Sequence, residues 1–169
     1  MTLAWADGAG QGPSRGTVLP LVARLRSMEV IRMLGVGETP LSVADVYASV
    51  ADVPTAGGIA LFSGVVRNED DGRAVTDLGY SAHPSVETYL REVVEKAIAQ
   101  YPIQAVSAVH RIGDLKIGEI AVIVAVACPK RGEAFDACRQ IIDQIKDTVP
   151  IWKHQRFADG DAEWVGAEG

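Results

Sequence analysis

The chain has 169 residues, 48% of them hydrophobic, with a formal net charge of −6 at pH 7. That is enough apolar material for one domain with a real core, and too much for a disordered or fibrous chain. The acidic balance argues against a general nucleic-acid binder, but a local basic cluster can still serve a small anionic substrate.

Residues 1–27 hold Gly8, Gly10, Gly12, Pro13, Ser14 and Gly16 and read as a flexible N-terminal extension. The domain then spans 28–169, with Met28 a candidate natural start. No run of 18 apolar residues exists, so no membrane-spanning helix is expected, and the N-terminus lacks the pattern of a secretory signal. Cys128 and Cys138 are too few for a disulfide framework or a zinc site. A reducing cytoplasm fits them. Cys138 falls on an apolar helix stripe, while Cys128 lies near a loop and is a candidate for exposure.

A strand is expected over Glu29–Gly35. Ser42, with Asp45 three residues on, reads as the N-cap of a helix reaching about Ala51. Pro54 and Gly57-Gly58 break the chain. Ile59–Arg67 is a buried strand, Asn68–Gly72 a turn, and Ala74–Ser81 the partner strand. Pro84 opens a helix whose buried face carries Val86, Tyr89, Leu90, Val93, Val94, Ala97 and Ile98. Strands follow at Ala105–Arg111 and Glu119–Ala127, joined through Gly113–Gly118. Phe135, Cys138, Ile142, Ile145 and Val149 mark a third helix. Short strands at Ile151–Phe157 and Glu163–Val165 close the chain around Asp159-Gly160. Short turns favour antiparallel pairing, so the expected fold is α+β: a mostly antiparallel sheet with helices packed on one face.

The chemistry concentrates in Lys146-Asp-Thr-Val-Pro-Ile-Trp-Lys-His-Gln155. Pro150 ends the helix and constrains Val149. Lys146 is thereby assigned to the last turn of one element and Lys153 to the next. Two amines brought to one place suit holding an anion, or activating one amine by its neighbour's charge. Trp152 beside Lys153 argues against a fully solvated pair. Arg67 ends a strand, and Lys130-Arg131 precedes a helix whose N-terminal amides favour anions. Arg139 and Asp143 share the Lys146 helix face and read as an ion-paired surface. Basic residues at element ends fit a phosphate pocket. His83, His110 and His154 lack metal-ligand spacing, and His110 reads as a satisfied structural histidine. Gly57-Gly58 and Gly64 build neither phosphate-loop pattern, and no nucleophile-elbow serine occurs.

Five segments then match one pattern in order: Phe62-Ser-Gly-Val-Val-Arg-Asn68; His110-Arg-Ile-Gly-Asp-Leu115 with Gly118-Glu119; Lys130-Arg131 with Ala134-Phe135; Lys146 to Pro-Ile-Trp-Lys153; and Gly160 with Trp164-Val165. Over about residues 28–166 the chain resembles the catalytic, large-subunit family of molybdopterin synthase. The resemblance implies an α/β hammerhead-type fold and conversion of cyclic pyranopterin monophosphate to molybdopterin. Two sulfurs would come from the C-terminal Gly-Gly thiocarboxylate of a small ubiquitin-like sulfur-carrier subunit. It also implies a homodimer at the centre of a heterotetramer, with no cofactor, metal, nucleic acid or membrane involved. Lys146 would be the essential lysine, as base or nucleophile, and Lys153 its basic companion. Val65, Val66, Arg67, Lys130, Arg131, His154 and Gln155 would border the substrate. Lys130 stands where the family pattern usually has histidine, and either holds phosphate in its place or marks a lost proton transfer. The alternatives are a non-catalytic scaffold keeping the pterin pocket and a phosphate sensor.

Overall fold

The computed structural model describes residues 29–166. The expected extension, 1–27, lies outside the described residues. The elements are β1 (Ile31–Gly37), α1 (Val43–Val50), β2 (Gly58–Val65), β3 (Glu69–Asp70), β4 (Arg73–Ala82), α2 (Val86–Gln100), β5 (Ala105–Arg111), β6 (Gly113–Leu115), β7 (Ile120–Cys128), α3 (Arg131–Thr148), β8 (Ile151–Phe157) and β9 (Ala162–Gly166). Short β3 and β6 lie in segments expected to be connections. Two sheets form, one ordered β1-β5-β7-β2 and one β3-β4-β8-β9 with β6 also on β4. Pairing is antiparallel except between β1 and β5.

The α+β class and the mostly antiparallel pairing hold, with a difference in layering. The two long helices, α2 and α3, cover one face of the first sheet; α1 covers the other. Strand β7 explains why. Val122, Val124, Val126 and Cys128 pack toward α2 and α3, against Leu90, Val94, Ile141 and Ile142. The alternate residues Ile123, Ala125 and Ala127 pack toward α1, against Val46 and Val50. A strand buried on both faces is apolar without alternation, as Ile120–Cys128 is. Each of the large aliphatic side chains fully buried here contributes about 1.5–3 kcal/mol by leaving water.

Ser42 caps α1 as expected, its Oγ accepting from the Asp45 amide at 3.2 Å. The stripes on α2 and α3 are narrower than expected. Tyr89 is 44% and Phe135 64% exposed, each at the margin of its stripe. Cys128 is fully buried, because β7 continues to it and Gly57 N–H bonds its carbonyl. Cys138 is buried as expected. Its Sγ lies 3.7 Å from the Val124 carbonyl.

Candidate functional site

The site forms where β4 and β8 of the second sheet meet β5 of the first and the end of α3. Tyr80 on β4 is paired with Lys153 on β8, and Leu78 with Gln155. Directly opposed residues share a face of a sheet, so Tyr80, Lys153 and Gln155 lie together. Asp70 of β3 meets them there. Its Oδ2 accepts from Lys153 Nζ at 3.0 Å and from Gln155 Nε2 at 2.6 Å; its Oδ1 accepts from the Arg67 guanidinium at 2.7 Å. Hydrogen bonds from Gln155 and Lys153 hold the Asp70 carboxyl below its ordinary value, with the charges of Lys153 and Arg67 adding to the effect.

Tyr80 links this group to His110. Their rings meet edge-on, centroids 4.9 Å apart. Burial, then the Asp70 charge, raises the Tyr80 phenol. His110 is buried, and its Nδ1 lies 2.8 Å from the Arg111 carbonyl, which assigns the proton to Nδ1. Burial pushes its pKa down to about 4, and the Lys146 charge acts in the same direction. His110 is therefore neutral at pH 7, and the Lys146 ammonium lies within electrostatic reach of it. Lys146 is exposed in the last turn of α3, where the helix dipole favours a cation.

The structure thus gathers Lys153, Arg67 and Gln155 from the sequence expectation, with Lys146 within electrostatic reach of the neighbouring His110. Asp70, Tyr80 and the structural His110 join them. Two cations, Arg67 and Lys153, bond one carboxylate, which leaves the cluster with a net positive charge. Asp70 escaped the sequence reading because Asn68–Gly72 looks like a solvated turn. Its one signal is a carboxylate three residues after Arg67.

Five other expected residues lie elsewhere. Val66 is buried in a small core with Leu78, Leu115 and Ala121, while Val65 is 53% exposed. His154 occupies the opposite face of β8 from Lys153 and Gln155 and stacks on Trp164. There it lines a cleft of about 450 Å³ with Gly79, Arg111, Glu119 and Arg156. Lys130 and Arg131 sit at the N-terminal end of α3, Lys130 as the N-cap residue. Fifteen helical steps separate Arg131 from Lys146, roughly 22 Å at the α-helical rise. Gly57 and Gly58 serve that far end, where a Cβ on Gly58 would lie 3.0 Å from Arg131 Cα.

Both cysteines are free. Burial raises each thiol to about 11, so neither is a ready thiolate. Among the described residues, no three His, Cys, Asp or Glu side chains converge as a metal site. No described helix is long and apolar enough to cross a membrane.

Two packed sheets that gather lysine, arginine and amide donors at a helix end define an α+β protein with a built cationic site. The chain belongs to the family of molybdopterin synthase catalytic subunits: the family model described as MoaE protein matches residues 36–148. It is 42% identical over 130 residues to the molybdopterin synthase catalytic subunit 1 of Mycobacterium tuberculosis, covering 76% of this chain and 87% of that one. A molybdopterin synthase catalytic subunit from a Nostoc strain is 40% identical over 128 residues, covering 75% and 77%. The crystal structure of molybdopterin synthase from Staphylococcus aureus matches with a TM-score of 0.73 at 32% identity, over 79% of this chain and 96% of that one. The family works in molybdenum cofactor biosynthesis, and the motif resemblance holds.

Proposed function

We propose that the chain is the catalytic subunit of a molybdopterin synthase, a sulfurtransferase acting on cyclic pyranopterin monophosphate. The observation that carries this reading is the pairing of Lys153 and Arg67 on the Asp70 carboxylate, beside Tyr80 and the His110 on which the Lys146 charge acts. The substrate phosphate and an incoming thiocarboxylate are both anions. Bringing them together needs fixed positive charge, which acts most strongly where water is partly excluded. Lys146 is the group left to act as base or nucleophile, since Lys153 is engaged by Asp70 and a pKa lowered by burial to about 4 makes His110 a weak base.

Sulfur has to arrive from outside. Cys128 and Cys138 are buried with raised thiols, so neither serves as an accessible relay. The donor in this reading is the thiocarboxylated Gly-Gly terminus of a small ubiquitin-like subunit. The length of α3 keeps Lys130 and Arg131 away from their own chain's Lys146. They serve a substrate site only when a second copy of the chain supplies them, which the proposed homodimer does. There the Lys130 ammonium contacts phosphate in place of the usual histidine. Two subunits of each kind make the heterotetramer, and the free thiols suit a cytoplasmic setting.

The test is reconstitution. The chain, mixed with thiocarboxylated small subunit and cyclic pyranopterin monophosphate, should yield molybdopterin by mass spectrometry. A small subunit ending in an ordinary carboxylate should yield none. No product from the thiocarboxylated form would reject the reading.

A further inference from the structure

We propose that Asp70 is a positioning residue: its carboxylate holds Arg67, Lys153 and Gln155 as one preformed cradle for the anionic group of the substrate. The inference rests on the site reading above and adds a residue to it. Both carboxylate oxygens are used, Oδ1 by Arg67 and Oδ2 by Lys153 and Gln155. The donors come from a loop and a strand far apart in sequence, and a single acceptor fixes their relative places. A lysine stem has four rotatable bonds, so an untethered Lys153 would lose that freedom on each binding event.

The contact differs from an ordinary surface pair. The Asp70 and Lys153 side chains are 23% and 24% exposed at 3.0 Å, against 61% and 84% for Asp143 and Arg139 at 3.6 Å. Asp70 is itself held. Its cross-strand partner is Arg73, whose guanidinium reaches Asp159 at 2.8 Å and Asp161 at 2.9 Å and lies 3.8 Å over the Phe157 ring. The β3–β4 turn is thereby fastened to β8 and its following turn at two points. With Asp70 bound, the cluster keeps a net positive charge for a ligand.

Asp70→Ala and Asp70→Asn are compared in the full chain with thiocarboxylated small subunit and cyclic pyranopterin monophosphate. Loss of positioning in Asp70→Ala should lower kcat/KM by roughly 10-fold or more. Asp70→Asn keeps one acceptor oxygen and should lose less. In a Lys153→Ala background, Asp70→Ala should add less than it costs in the native chain, because one of its three contacts is already gone. Native kcat/KM in Asp70→Ala, or losses that multiply in full, would overturn the proposal. An independent readout is the Gln155 side-chain amide by 15N NMR. Its signal should shift and exchange faster with water in Asp70→Ala, and an unchanged signal would also overturn it. If the native chain makes no product, the function reading fails, while the Gln155 signal still decides whether Asp70 builds the cradle.

Discussion

The His154 imidazole lies flat against the Trp164 indole, centroids 4.3 Å apart and planes 23° apart. The two residues are directly opposed on β8 and β9, on the face away from Lys153 and Gln155. His154→Ala should therefore keep turnover within about twofold while costing ~0.5–1.5 kcal/mol for the lost ring pair. Urea unfolding beside the product assay checks both. A loss of turnover equal to that of Lys153→Ala would return His154 to the site.

Lys153 and Arg67 should separate in their effects. Lys153 is mostly covered, whereas the Arg67 side chain is 71% exposed. A charge-assisted contact to substrate from Lys153 is worth about 1.5–3 kcal/mol, and the exposed Arg67 contributes less through solvent screening. Precursor affinity measured by calorimetry should fall further in Lys153→Ala than in Arg67→Ala. The reverse order would mean that the substrate sits outside the Asp70 cradle.

His110 makes stability pH-dependent. Its folded pKa is about 4 against an ordinary 6.5, chiefly through burial. Between those values the unfolded chain binds a proton that the folded chain does not. Stability is thus full above pH 6.5 and falls as pH drops toward 4. Going from pH 7 to pH 5 should cost about 2 kcal/mol from this residue. His110→Gln, which keeps an N–H donor, should flatten that slope in urea titrations. An identical slope in the variant would contradict the assignment.

Gly57 allows Pro129 to approach β2 closely. A Cβ on Gly57 would stand 2.3 Å from the Pro129 carbonyl oxygen, so backbone has to move. Gly57→Ala should destabilise by about 1–3 kcal/mol, read from the urea midpoint. Wild-type stability would show that the Pro129–Arg131 entry to α3 is free to shift.

Much of this architecture was legible in the sequence, because each helix and long strand carries its own periodicity. The layering was less so. The unbroken run Ile120–Cys128 signals a strand covered on both faces, but which helix lies on which face depends on crossovers. Tyr89 and Phe135 extend their apolar stripes to margins that the sheet does not reach, so spacing alone placed them inside. In the site, Lys146 and Lys153 followed from Pro150, a local constraint. His154 and Gln155 are neighbours on a strand and so face opposite ways, a rule the sequence does contain. Lys130 and Arg131 were grouped with Lys146 by charge, and only the unbroken length of α3 separates them. Asp70 depends on pairing between β4 and β8, a long-range contact that a turn-like sequence conceals.

The central claim is that Lys146, at the end of α3, carries the chemistry. Its direct test is turnover by Lys146→Ala with thiocarboxylated small subunit and cyclic pyranopterin monophosphate. Lys146 is exposed, so the substitution should change stability by only about 0.5 kcal/mol either way. Product formation should fall by roughly 100-fold or more, the scale of a lost acid–base or nucleophilic group. Near-native turnover in a folded Lys146→Ala chain would contradict the account.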